Sequence, residues 1–117
     1  MGNNIVFEKS KTFTVRITKL KNYLNSEKKE YHMADQVYRS GTSIGANISE
    51  AIKGHSKRDF VAKLQIAFKE AGETEYWLES LFNTSYLTEK QYGSIKTDCI
   101  ELIKLLTSIL NTSKQNL

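Results

Sequence analysis

The sequence predicts an all-α fold: one domain built as an up-down-up-down antiparallel four-helix bundle. Hydrophobic residues recur at helical spacing through nearly the whole chain of 117 residues, and the chain contains no proline. Polar segments divide this pattern into four helical stretches, at about residues 5–26, 34–53, 57–82 and 89–111. Because the intervening turns are short, sequential helices should be antiparallel neighbours, and residues 1–117 should share one core.

The first helix is predicted from four apolar residues at helical spacing and from the polar segment that ends it. The apolar residues are Phe13, Ile17, Leu20 and Leu24. The run Glu27-Lys-Lys-Glu30 should form the frayed end of this helix and the turn after it. The second helix is then expected to begin near Ala34.

The second helix carries two stripes side by side. Five residues form an apolar stripe that should face the core: Val37, Gly41, Ile44, Ile48 and Ala51. Beside it lies a row that we call the polar column, which consists of Gln36, Ser40, Ser43, Asn47 and Glu50. Serine and asparagine are poor interior helix formers, so we expect groups outside the helix to hold these side chains. Gly54 is placed to end the helix.

The third and fourth helices each begin at a sequence typical of a helix N-terminus. Ser56-Lys-Arg-Asp59 has the form of a capping box, with aspartate where glutamate is usual. Thr88-Glu-Lys-Gln91 is a second capping box. The core stripe of the third helix should be Phe60, Leu64, Ala67, Ala71, Leu78 and Phe82.

The third helix also has apolar residues away from its core stripe. Ile66 and Trp77, with Glu70 and Glu73 between them, lie about 100° round the helix from that stripe. This arrangement indicates either a contact with a neighbouring subunit or a widened core face. Arg39, beside the polar column, could pair with either glutamate. We hypothesise that the polar column faces the third helix, either of the same chain or of a neighbouring one. An Arg–Glu pair would then fix the register of the two helices.

Three glycines lie inside predicted helices. Gly41, Gly45 and Gly72 should each cost on the order of 1 kcal/mol relative to alanine. We expect close approach of another backbone to offset this cost, and helix flexibility is the competing interpretation.

The residue types needed for catalysis or metal binding do not come together in the sequence. The serines of the second helix lack an obvious histidine partner, and His32 and His55 fall in predicted turns. Cys99, the single cysteine, lies on an apolar stripe, where a buried thiol is expected. Glu70 and Glu73 lack the histidine of a di-metal Glu-x-x-His motif. We therefore expect no enzymatic activity, no cofactor and no metal.

The net charge of +4 is concentrated at the start of the chain. Residues 1–30 hold seven lysine and arginine residues against three glutamates, so the whole excess lies there. Such an excess favours binding to RNA or DNA, and a solvated lysine-rich face is the alternative. The candidate contacts are Lys9, Lys11, Arg16, Lys19, Lys21, Lys28 and Lys29, together with Lys57 and Arg58. Because the sequence has no long apolar run, we expect no secretory signal and no membrane partner. The expected location is therefore the cytoplasm.

Two long blocks of the sequence resemble a known family. The segment from Gln36 to Ala51 (QVYRSGTSIGANISEA) and the segment from Ser56 to Leu78 are similar to the bundle proteins associated with intervening sequences in 23S ribosomal RNA genes, often labelled S23 ribosomal proteins. The opening run from Glu8 to Phe13 also fits. One departure is Ala34, because a serine or threonine cap is common there in the family.

The resemblance implies a homopentameric ring of four-helix bundles without established enzymatic activity. The family also resembles accessory proteins of diversity-generating retroelements, which bind nucleic acid and a reverse transcriptase. The signature positions carry over as structural or interface residues: Arg39, Ser40, Ser43, Asn47, Glu50 and Glu73. The helical pattern adds Gln36, Glu70 and Trp77 as candidates of the same kind. Two functions are therefore expected: a nucleic-acid-binding oligomer, or a scaffold for a partner protein such as a reverse transcriptase.

Overall fold

Four long helices make up the described chain, which confirms the predicted all-α fold. The computed structural model describes the backbone of residues 2–115 and the side chains of residues 5–113, and no strand occurs in that part of the chain. The helices are α1 (Gly2–Glu27), α2 (His32–Ile52), α3 (Lys57–Asn83) and α4 (Glu89–Gln115). α4 extends beyond its predicted end because its last residues include no proline or glycine to stop it.

The helices form an antiparallel square. Each helix contacts its neighbour along the chain, and α4 returns to α1. The pairs α1–α3 and α2–α4 lie diagonally opposite, with no Cα atoms within 8 Å of each other in residues 2–115. Ion pairs show the antiparallel direction of α1 and α4: Lys9 lies 3.2 Å from Glu101 and Arg16 lies 2.7 Å from Asp98. The contact between α2 and α3 is the most extensive, and the contact between α1 and α4 is the least.

The turns are held by the predicted caps and by one cap that the sequence did not reveal. Ser56 accepts a hydrogen bond from the backbone N–H of Asp59 at 3.0 Å. At the start of α4, the Thr88 hydroxyl accepts from the Gln91 N–H (3.1 Å), while the Gln91 side chain accepts from the Thr88 N–H (2.9 Å). The carboxylate of Glu30 accepts from the N–H groups of residues 33 and 34 at 3.2 and 2.8 Å. This cap explains why α2 begins at His32, two residues before the predicted Ala34.

The core confirms most positions of the apolar stripes but shifts two positions in the stripe of α3. Phe60 and Phe82 are only partly buried, while Val61 and Leu81 are buried in their place. The reason is geometric: the side facing the core drifts round a long helix, because 3.6 residues per turn does not match a repeat of seven. Leu20 is also only partly buried, because it lies at the edge of the α1–α4 contact.

Close approach to a neighbouring helix explains two of the three helical glycines. A Cβ atom at Gly41 would lie 2.9 Å from two γ carbons of Ile17, and one at Gly45 would lie 3.2 Å from the hydroxyl of Ser10. α1 therefore occupies the space that side chains at these positions would need. The expectation was wrong for Gly72, since nothing in the described chain lies within 4 Å of the position of its Cβ.

Cys99 is buried, as predicted. Its thiol donates a hydrogen bond to the Ala71 carbonyl at 3.4 Å, which joins α4 to α3. Burial, with a smaller contribution from the negative charge of Glu75, raises the pKa of the Cys99 thiol to about 12. A thiol in this state is a core side chain and a poor nucleophile.

Candidate functional site

The polar column reaches α3 of its own chain at two points. The hydroxyls of Ser40 and Thr74 are hydrogen-bonded at 2.9 Å, and both residues are buried. Toward the C-terminal end of α2, the Glu50 carboxylate lies 3.0 Å from the ammonium of Lys63. The column thus faces the third helix within one chain, and Thr74 is a partner that the apolar spacing of α3 did not indicate.

Two members of the column are satisfied without any partner helix. The Ser43 hydroxyl donates to the carbonyl of Arg39 at 2.7 Å, and the Asn47 amide donates to the carbonyl of Ser43 at 2.8 Å. Hydrogen bonds of this kind run back along the same helix by one turn. The expectation that groups outside α2 must hold every polar side chain of the column was therefore wrong for Ser43 and Asn47. Gln36 lies partly buried on the same side of α2.

Unpaired charges lie on both sides of the column. Arg39 is exposed and, among the described residues, has no carboxylate within 4 Å. Glu70 and Glu73 also have no ion pair in the described part of the chain. The expected pairing of Arg39 with one of these glutamates is therefore not formed within the chain. Partial burial raises the pKa of Glu70, the negative charge of Glu73 adds to this, and Lys69 opposes it. A cation beside these two carboxylates would stabilise the charged form of Glu70.

The apolar residues of this surface divide into exposed and partly buried groups. Ile66 is 41% exposed, whereas Trp77 is partly buried against the core. The Trp77 ring contacts Tyr76 and His32 edge-on, with centroid distances of 5.0 and 6.4 Å. Its indole N–H is buried with no hydrogen-bond partner among the described residues. Trp77 therefore widens the core face, while Ile66 remains available to a neighbouring molecule.

Most of the candidate basic contacts are already paired within the chain. Four have carboxylate partners: Lys9 with Glu101 (3.2 Å), Lys11 with Glu8 (3.0 Å), Arg16 with Asp98 (2.7 Å) and Lys21 with Asp35 (3.7 Å). Lys57 also takes part in an interaction within the chain. Lys19, Lys28, Lys29 and Arg58 have no ion pair in the part of the chain that the structure describes. Lys28 and Lys29 lie in the turn from α1 to α2, and Lys19 lies about two helical turns before the end of α1.

No group of three or more histidine, cysteine, aspartate or glutamate side chains is arranged to hold a metal ion within the described chain. None of the helices in residues 2–115 has an apolar stretch long enough to cross a bilayer.

Comparison with known proteins identifies the family. The model of the 23S rRNA-intervening sequence protein family matches residues 2–108. The chain belongs to this family. A crystal structure of a member of the S23 ribosomal protein family from Bacteroides thetaiotaomicron VPI-5482, a protein of unknown function, is 54% identical in sequence and superimposes with a TM-score of 0.94. The match covers 95% of this chain and 99% of the other. No protein of curated function matches the chain.

Family membership confirms the resemblance to the S23 proteins. The four-helix fold is shared with the Bacteroides protein, whose crystal structure carries no assigned function. The family therefore accounts for the fold, and the function has to be inferred from the surfaces.

Proposed function

We propose that this member of the 23S rRNA-intervening sequence family is a non-enzymatic homo-oligomer that binds nucleic acid in the cytoplasm. The observation that carries the proposal is that Lys19, Lys28 and Lys29, in the C-terminal part of α1 and the turn after it, have no ion pair in the described chain. Lysines without a carboxylate partner attract phosphate without first breaking an ion pair. Glu27 and Glu30 lie in the same region, so the attraction depends on the lysines outnumbering these two carboxylates.

Assembly would multiply a weak attraction. The family resemblance implies a ring of five, and five copies of a chain with net charge +4 would carry about +20. Each subunit would then present the same three lysines to one long polyanion. Binding of this kind should be largely independent of sequence and should weaken steeply with salt.

The surface proposed for assembly is the one formed by the polar column and the neighbouring face of α3. Within the described chain it carries one cation without an ion pair, Arg39, and two carboxylates without one, Glu70 and Glu73. In a closed ring each contact joins two different surfaces, so a neighbouring subunit could supply the missing partner of each charge. The exposed side chain of Ile66 on the same side would add apolar area to such a contact.

Retention of labelled single-stranded RNA on a filter at low salt tests nucleic-acid binding. The variant Lys19→Gln/Lys28→Gln/Lys29→Gln should bind about tenfold or more weakly and show a shallower dependence on salt. The matched control is Lys9→Gln/Lys11→Gln/Lys21→Gln, which removes the same charge from lysines that are already paired. Equal losses in both variants would show that net charge alone matters, and no retention of the wild-type protein would refute the proposal.

Solution mass by light scattering tests the assembly surface. Wild-type protein should be an oligomer, and Glu73→Lys should shift it toward smaller species by placing a cation where the neighbour's cation is proposed. Glu89→Lys, a charge reversal at the start of α4, is the control and should leave the mass unchanged. A monomeric wild type, or an unchanged Glu73→Lys oligomer, would contradict the proposed interface.

A second candidate function is favoured by exposed apolar side chains of α3. Ile66, Phe68 and Tyr76 are 41%, 41% and 59% exposed. Such residues suit a scaffold or accessory subunit for a partner protein, for example a nucleic-acid-processing enzyme such as a reverse transcriptase. Pull-down from nuclease-treated lysate separates the two functions, because a partner that survives nuclease and is lost in Phe68→Ser supports the scaffold.

A further inference from the structure

The contact between α1 and α4 leaves an open groove on the side of the bundle opposite the polar column. Its volume is about 530 Å³, and it lies between the C-terminal half of α1 and the loop and first turns of α4. Sites for small organic ligands commonly have volumes of about 300–1,000 Å³ and often lie between the helices of a bundle. The groove therefore has the size and the location of a small-ligand site.

The lining of the groove is mainly apolar. Leu20 and Tyr23 of α1 form one wall, and Leu87 and Ile95 form the other. Leu87 and Ile95 are each 5% exposed and form the outer edge of the core, whereas Leu20 and Tyr23 are only partly buried and leave apolar surface open in the groove. A ligand with an apolar body would remove this surface from water.

Three cations line the groove, and no carboxylate of the described residues does so. Arg16 is fixed by its pairing with Asp98 at 2.7 Å and by bonds to the carbonyl and hydroxyl of Ser94 at 3.3 and 3.1 Å. Its charge is therefore largely balanced, and its side chain serves as a fixed wall. Lys19 and Lys90 line the same groove and have no ion pair within the described chain.

We propose that this groove binds an amphipathic organic anion, with its apolar body on Leu20, Leu87 and Ile95 and its carboxylate near Lys19 and Lys90. The apolar lining selects against a compact, fully hydrated anion such as inorganic phosphate, which would gain only the charge contacts. The two unbalanced lysines select against a neutral apolar ligand, which would leave them unpaired. A medium-chain fatty carboxylate meets both conditions.

Titration with decanoate, followed by NMR of methyl groups, tests the site. Decanoate should shift the methyl signals of Leu87 and Ile95 saturably at one molecule per chain, while Val6 and Leu110 at the other end of the bundle stay unchanged. Decanol, which has the same chain without the charge, should bind at least tenfold more weakly. Lys19→Gln/Lys90→Gln should weaken decanoate binding at least tenfold, and Lys28→Gln, an unpaired lysine outside the groove lining, should not weaken it.

Lys90→Gln alone separates this proposal from nucleic-acid binding, because Lys90 is not among the proposed RNA contacts. It should weaken decanoate binding and leave RNA retention unchanged. Non-saturable binding, equal shifts at Val6 and Leu110, or equal affinity for decanol would overturn the inference. So would a groove that admits no decanoate because a second copy of the chain covers it, or methyl shifts produced by an oligonucleotide and not by decanoate.

Discussion

α1 packs against its two neighbours in different ways. Against α2, the contact uses Gly41 and Gly45, and a Cβ atom at Gly41 would come within 2.9 Å of Ile17. Against α4, the contact uses long polar side chains, including the Arg16–Asp98 pair at 2.7 Å, and leaves a groove of about 530 Å³. The same helix is thus closely packed on one edge and spaced from its neighbour on the other.

The difference shows how residue size assigns stability and ligand access to separate sides of one bundle. Glycine, serine and alanine let helix backbones approach, and the resulting contact has no room for a ligand. Arginine and lysine hold helices apart while covering apolar surface with their methylene stems. The α1–α2 contact should therefore determine stability, and the α1–α4 contact should tolerate substitution and admit a ligand.

The largest expected effect comes from filling the close contact between α1 and α2. Gly41→Val should lower the free energy of unfolding by about 3 kcal/mol, because its side chain would overlap the buried Ile17 and force α1 outward. Urea unfolding at a fixed protein concentration, followed by circular dichroism, measures this change.

The matched control is Gly72→Val on the open surface of α3. Nothing in the described chain lies within 4 Å of its Cβ position, so the variant should stay within about 0.5 kcal/mol of wild type. If Gly41→Val were equally well tolerated, the contrast between the two edges of α1 would not hold.

The buried thiol of Cys99 in α4 should make the free energy of unfolding depend on pH. The pKa of the Cys99 thiol rises from its ordinary value of 9.0 to about 12 in the folded chain. Between pH 9 and about pH 12 the unfolded chain loses the Cys99 thiol proton that the folded chain keeps. The contribution of the protonated thiol to stability is therefore complete below pH 9 and is lost as the pH rises through this window. The slope should approach about 1.4 kcal/mol per pH unit within that window.

Cys99→Ala provides the reference for this measurement, because lysines and tyrosines titrate in the same range. The difference in unfolding free energy between wild type and Cys99→Ala should be constant from pH 7 to 8.5 and should shrink above pH 9. A constant difference up to pH 10.5 would mean that the thiol is open to solvent, and that α4 is loose on its buried side as well as at the groove.

The sequence predicted the helices and most of their faces, but it could not predict the widths of the contacts. Periodicity placed Ile17, Ile44 and Leu78 in the core because such positions depend only on helix geometry. The groove depends on the distance between α1 and α4, which places Lys19 and Lys90 in the lining of one groove and has no local signal.

The polar column shows the same limit at the level of single hydrogen bonds. Spacing alone could not show that Ser43 and Asn47 would bond to their own helix while Ser40 would bond to Thr74. Both outcomes satisfy a hydroxyl or an amide equally well, and packing decides between them. The same holds for Glu30, which looked like a turn residue and caps α2.

A smaller effect should come from the buried hydroxyl pair between α2 and α3. Ser40→Ala and Thr74→Val should each lower the free energy of unfolding by about 1 kcal/mol, since each leaves one buried hydroxyl with fewer partners. The double variant should cost less than the sum of the two, because no hydroxyl is then left unpaired. Strict additivity in urea unfolding would show that the pair contributes nothing beyond its separate bonds along each helix.

The smallest effect on stability should come from the α1–α4 contact, at the pair of Arg16 and Asp98. Their side chains are 36% and 41% exposed, so Asp98→Asn should cost well under about 1 kcal/mol, and less still in high salt. Arg16 would keep its bonds to Ser94 but lose its counter-charge, so the positive charge at the groove would rise. Decanoate should then bind a few-fold more tightly even though the protein is slightly less stable. Glu101→Gln breaks a pair in the same contact beyond the groove, and it should cost a similar amount of stability without changing decanoate affinity. A loss of stability together with tighter decanoate binding in Asp98→Asn would show that the Arg16–Asp98 pair holds the two helices together at the expense of ligand binding in the groove.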